Sequence, residues 1–240
     1  MKRIFLVLIF LISTIVWSAI GLFLLQRYIG VEFAFLEQED GVVGISPQSM
    51  KGIVMINGHE AVDLGLSVKW ATCNVGANSP EELGGYYAWG ELKEKGNYSE
   101  DTYKYYNKDG TNIDIGANIS GTSYDIAHVK WGAGWRMPTS EEMDELSDCH
   151  RIWTFVNDVG GLKFTGPNGN SIFLPATGYC KGFEKKSMSS GNYWVADMSS
   201  IYYNTNFENS SALFFDFSII DISLDCRWLG YVIRPVIDIN

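Results

Sequence analysis

Apolar residues in this chain come in two textures. Residues 4–25, IFLVLIFLISTIVWSAIGLFLL, form one run without a charged side chain. At about 1.5 Å of rise per residue, a helix of that length reaches about 30 Å, the depth of a bilayer core, so the run is predicted to be a transmembrane helix. After about residue 58 the apolar stretches are short and broken by Gly, Asn, Asp and Pro, the texture of strands and turns. The predicted organisation is a cytoplasmic end (1–3), an anchor (4–25), a juxtamembrane stalk (26–57) with one short strand at Val31–Leu36, and a folded domain (58–240).

Charge sets the orientation. Lys2 and Arg3 precede the run, while Glu32, Glu37, Glu39 and Asp40 follow it. Positive residues stay in the cytoplasm, so the domain is predicted on the far side, a single-pass protein with its C-terminal part in the periplasm or at the cell surface of a bacterium. The competing reading is a cleaved secretory signal. Its apolar core is usually about 7–15 residues and ends at small residues, whereas here the run continues past Trp17-Ser18-Ala19-Ile20. Either reading exports the domain, and no Cys falls in or just after the run to carry a lipid.

Within the domain, residues 62–66 and 68–71 form two arms of a hairpin or bent strand, and residues 86–89 form a short strand after Gly84-Gly85. Residues 92–125 are polar and aperiodic and predict a long surface loop. The clearest helix start is Thr139-Ser140-Glu141-Glu142: the Thr139 hydroxyl caps, and Glu142 reaches back to the cap N–H. Met143, Leu146 and Cys149 then share one apolar face. Short strands follow at 152–156, 161–164, 172–174, 193–196, 213–217, 219–224 and 231–236.

A net charge of −10 and a pI near 4.7 exclude a nucleic-acid surface, which needs basic residues against phosphates. No cofactor motif is present. His59, His128 and His150 have no metal-ligand spacing, and no nucleophile-elbow GxSxG occurs. Four cysteines, Cys73, Cys149, Cys180 and Cys226, lie beyond the anchor with no CxxC. Two disulfides are expected in an oxidising compartment, with four buried thiols as the alternative. Arg136 and Arg234 sit in apolar or Pro-bounded segments, where an Arg is expected to be a buried hub paired with a carboxylate such as Glu91 or Asp63. Trp70, Trp89, Trp131, Trp135 and Trp194 are expected in the core or as framework.

Six segments occur in order: VDLGLSVKWATCNVGA (62–77), YYAWGE (86–91), GWRMPTSEEMDEL (134–146), NGNSIFLPATGY (168–179), NYW (192–194) and GYVIRPV (230–236). Together they resemble the Fibrobacter succinogenes major paralogous domain, across residues 58–238. One departure is Val195-Ala196, where the family usually has two serines. The resemblance implies an α+β fold of the C-type-lectin-like kind, near the formylglycine-generating-enzyme-like domains: small twisted antiparallel sheets, one or two helices and long loops. It implies no ligand. The Glu-Pro-Asn or Gln-Pro-Asp and Trp-Asn-Asp signatures of calcium-dependent lectins are missing, as is the C-terminal Cys pair of the formylglycine-generating oxidases. The resemblance also implies that the first strands pack near the helix, which would bridge Cys73 to Cys149. Antiparallel pairing of the C-terminal strands would bridge Cys180 to Cys226.

Residues 187–211, SMSSGNYWVADMSSIYYNTNFENSS, have the Tyr, Ser and Asn composition of adaptable recognition loops. Tyr193, Tyr202, Tyr203, Asn204, Asn206 and Asn209 are the predicted contact residues. The expected function is non-enzymatic recognition or adhesion at the cell surface, with an extracellular or periplasmic protein or glycan as partner. Alternatives are a structural cell-envelope module and a variable protein of a diversity-generating retroelement, whose variable residues fall in this stretch in related domains.

Overall fold

The computed structural model describes residues 52–107, 109, 111, 113–198 and 209–239, with the backbone of Glu32 and Phe33. The predicted anchor and most of the predicted stalk lie outside the described residues. Among the described residues no helix is long and apolar enough to cross a membrane.

The body is α+β and rich in sheet. Among the described residues, thirteen strands form four small sheets, and every strand pairing is antiparallel except β1 with β5. One sheet joins β1 (Glu32–Phe33), β5 (His150–Val156), β6 (Val159–Thr165) and β7 (Ser171–Pro175). A second orders β13 (Val236–Asp238), β4 (Val68–Ala71), β3 (His59–Asp63) and β2 (Ile53–Ile56). The third is β10 (Gly191–Trp194), β11 (Asn209–Phe215) and β12 (Ile220–Cys226), and the hairpin β8 (Tyr179–Lys181) with β9 (Glu184–Lys186) is the fourth. The predicted hairpin is β3–β4, with Val62 opposite Trp70. Because β2 pairs with β3, the folded body begins inside the predicted stalk, earlier than residue 58.

Two helices carry the strongest local signals. Helix α2 (Ser140–Ser147) starts as the sequence predicts: Glu142 N–H donates to Thr139 Oγ1 at 3.3 Å, and Thr139 N–H donates to Glu142 Oε2 at 2.9 Å. Met143 and Leu146 are buried, but Cys149 lies beyond the helix end and is only half-buried. Helix α1 (Ile126–Trp131), which the sequence pattern does not mark, begins directly after the predicted loop, whose last residue caps it. Its cap is the fully buried Asp125. Oδ1 accepts from Ala127 N–H (2.8 Å) and His128 N–H (3.1 Å), and Oδ2 accepts from Gly121 N–H (2.9 Å) and Met137 N–H (2.7 Å).

The long 92–125 segment is irregular but not superficial. Tyr98, Tyr103, Tyr105, Ile115 and Ile119 are buried, and Tyr103 Oη donates to Trp89 O at 2.8 Å. Aromatic side chains let a loop without periodicity bury area while their hydroxyls satisfy buried carbonyls. Two predicted strands are reduced. Residues 86–89 contribute a single bridge, Tyr87 to Tyr231. Residues 231–236 make isolated bridges until β13 begins at Val236.

The structure joins none of the four cysteines in a disulfide. Cys73 follows β4, its sulfur 3.5 Å from Thr72 Oγ1, whereas the Cys149 thiol donates to Glu145 O at 3.5 Å past the end of α2. Antiparallel bridging sets Cys180 opposite Gly230, and Cys226 stands opposite Asn209 at the end of β12. The expected strand pairing therefore exists with a partner other than Cys226.

Candidate functional site

β12 reads Ile-Asp-Ile-Ser-Leu-Asp-Cys, a strict alternation. Side chains alternate across a strand, so Asp221, Ser223 and Asp225 share one face and Ile220, Ile222 and Leu224 the other. The register extends this division across the sheet. Asn192 faces with Phe214 and Asp221, while Tyr193 faces with Leu213 and Ile222.

The polar face is the floor of a cleft of about 530 Å³, set by Asn192, Phe214, Ser223 and Asp225. Its walls are Tyr179 and Lys181 of β8 and the turn holding Trp228 and Tyr231. Hydrogen bonding across Cys180 and Gly230 (N–H to O at 2.8 and 3.0 Å) fastens β8 to that turn. Only glycine fits there: a Cβ on residue 230 would lie 2.7 Å from the Tyr98 ring and 2.8 Å from the Cys180 Cβ. Tyr231 packs at 4.4 Å on Trp194 and edge-on to Tyr179 at 5.9 Å.

The polar groups converge on Asp225. Ser223 Oγ donates to its carboxylate at 3.1 Å. Burial first, then the negative charge of Asp225, push the Tyr231 phenol up, so it stays protonated. Lys181 Nζ lies 5.8 Å from the centre of the half-buried Trp228 ring. The lining thus carries one carboxylate, one ammonium, hydroxyls, an amide and aromatic rings.

The predicted contact residues are placed differently. Tyr193 is fully buried, and its hydroxyl donates to Pro175 O at 2.7 Å, so it is a core residue and not a contact. Tyr202, Tyr203, Asn204 and Asn206 lie outside the described residues. Asn209 is exposed at the start of β11. The residue that reaches the cleft is Asn192, one position earlier than Tyr193; in a strand that single step exchanges the two faces. Trp228, Asp225 and Tyr179 were not singled out from sequence. The alternation in β12 was the available signal.

The arginines also depart from expectation. Arg136 pairs with Glu142 (2.5 Å) and Asp238 (2.5 Å), not with Glu91 or Asp63. Arg234 is fully buried and reaches no carboxylate among the described residues. Its guanidinium donates to Asn74 Oδ1 (2.8 Å), Ala71 O (3.1 Å), Thr72 O (2.8 Å) and Phe173 O (3.0 Å), and burial lowers its pKa. Trp70, Trp89, Trp135 and Trp194 are all fully buried. Indole N–H groups of the last three donate to Val195 O, Ile56 O and Tyr87 O.

A second cavity, about 520 Å³, lies between Leu66, Glu145, Cys149, His150 and Pro167. Burial, then the charges of Asp148 and Glu145, push the Cys149 thiol up, opposite to the depressed pKa of a reactive thiol. Among the described residues no group of three or more His, Cys, Asp or Glu is placed to hold a metal ion.

No protein-family model matches the chain, and no curated protein or solved structure matches it.

Proposed function

We propose that this is a non-enzymatic recognition domain of the C-type-lectin-like kind, held at a membrane by its apolar N-terminal run and binding an exported-side protein or glycan through its C-terminal surface. The observation that carries the reading is the cleft over the β10–β12 sheet. Ligand sites are concave, with aromatic lining and a few convergent polar groups, and span about 300–1,000 Å³. The cleft of about 530 Å³ meets that description with Trp228, Tyr179, Tyr231, Asp225 and Asn192. Two of its lining residues, Ser187 and Asn192, belong to the stretch whose composition suits adaptable contacts.

The test is binding of the full chain, purified in mild detergent, to glycan and protein arrays. Recognition predicts reproducible binding on at least one array. A folded protein silent on both would overturn it. The burial of Tyr193 favours a second reading, a structural cell-envelope module without a soluble ligand, and that silence is its expected result.

A further inference from the structure

We infer that the cleft bounded by Trp228 and Asp225 takes a neutral saccharide by direct side-chain contact, without a bridging metal. The inference rests on the recognition reading above and names the ligand class for that site.

The lining chemistry selects the class. A sugar ring is amphipathic, with an apolar C–H face and an equatorial edge of hydroxyls that both donate and accept. The cleft offers that pair of surfaces. Trp228 is half-buried, so part of its indole remains open, and Tyr179 stands beside it across the cleft. Ser223 and Asp225 supply acceptors and a donor from the floor, beside the buried Asn192, whose amide NH₂ is held by Ser190 Oγ at 3.1 Å. The Asp225 carboxylate accepts from Ser223 at 3.1 Å, which orients it before a ligand arrives. A charged acceptor held in place makes stronger hydrogen bonds than a neutral one, roughly twofold.

Other ligand classes fit less well. An anion would find a single ammonium, Lys181, across from a carboxylate, on a chain of net charge −10. An extended peptide adds to a sheet edge through unpaired backbone groups. Here the floor is a sheet face, and the backbone of Cys180 and Gly230 on the wall is already mutually paired. Calcium takes about six to eight oxygens, and Asp225 is the one carboxylate in the lining. A volume of about 530 Å³ suits a short oligosaccharide rather than a single small ion.

The test uses the full chain in mild detergent on an array holding neutral and acidic glycans beside a protein array, with and without EDTA. The expected result is binding to at least one neutral glycan, unchanged by EDTA. Trp228→Ala and Asp225→Asn should each weaken it at least tenfold, and Lys181→Gln less than threefold. Asp225→Asn preserves shape, and the thermal melts of both variants establish that they are folded. Four outcomes overturn the saccharide inference: no glycan bound, a bound glycan retained equally by both variants, binding abolished by EDTA, or preference for acidic glycans that is lost in Lys181→Gln. If glycans fail while a protein ligand binds and is lost in Trp228→Ala, the recognition reading stands without the sugar. Silence on both arrays removes both.

Discussion

Replacing Asp125 by Asn changes one atom at the most heavily shared carboxylate described here. Asp125 is fully buried and accepts four backbone N–H bonds of 2.7–3.1 Å, two to each oxygen. Through them it caps α1, closes the turn at Gly121 and ties the Met137 backbone to both. Each hydrogen bond to a charged acceptor contributes about 1.5–3 kcal/mol. Burial opposes this by pushing the carboxyl up, and confining a charge in the interior costs several kcal/mol. Removing one member of such a compensated buried set typically destabilises by about 3–5 kcal/mol. In Asp125→Asn the amide keeps one acceptor oxygen, and its NH₂ must face either the Ala127 and His128 pair or the Gly121 and Met137 pair. Two donors then confront a donor. The expected loss is about 3 kcal/mol, and for Asp125→Ala about 4 kcal/mol, against a usual total of about 5–15 kcal/mol. Urea unfolding of the full chain in mild detergent, followed by tryptophan fluorescence, should show a lower midpoint at unchanged slope. A midpoint shift for Asp125→Asn equivalent to less than about 0.5 kcal/mol would refute the reasoning.

Two further outcomes are expected. Arg234→Lys retains the charge but cannot span Asn74, Ala71, Thr72 and Phe173 at once, so at least one buried acceptor loses its donor at about 1–3 kcal/mol each; thermal melts should fall by several degrees, and an unchanged melt sinks the hub role. His59 stacks on Trp131 at 3.7 Å, and burial lowers its pKa below 6.5. A depressed folded pKa means that the His59 contribution is present above pH 6.5 and is lost as pH falls through the folded value. Urea midpoints should therefore drop between pH 8 and pH 5 more steeply in the natural chain than in His59→Gln, and parallel curves would exclude His59 as the cause.

What the sequence disclosed depended on the range of the cause. Local rules were legible: the Thr139 and Glu142 capping box and the β3–β4 hairpin each follow from neighbouring residues. Strand pairing across the chain was not. Tyr87 and Tyr231 are one bridge apart in space and far apart in sequence, so residues 86–89 looked like an independent strand. Helix α1 was missed because its six residues carry no helical period and its cap lies in a polar loop. At the candidate site, the residues that composition singled out do not include those that line the cleft. Tyr193 is aromatic and loop-flanked, but only the pairing of β10 with β11 decides that it turns into the core while Asn192, itself buried, lies on the cleft side of the sheet. Arg136 does pair with carboxylates, though others than Glu91 or Asp63; the Arg234 partners were not legible because a guanidinium can be satisfied by carbonyls, which every residue carries and no sequence pattern marks.

Residues 227–238 touch nearly every other part of the body. Arg227 O receives Trp89 N–H, Gly230 bridges Cys180, Tyr231 bridges Tyr87, Val232 bridges Tyr193, Ile233 O receives Val75 N–H, and Val236 meets both Trp70 and Arg136. This stretch behaves as a drawstring threaded last. A chain emerging from the ribosome or crossing a membrane in the N-to-C direction can form its hairpins early, yet the sheets stay unfastened until residues 227–238 arrive. Until then the aromatic interior is open to water, and those partly assembled forms are the ones that aggregate. If the domain is exported, the interval between the first hairpin and residue 238 is the period in which it needs a chaperone most.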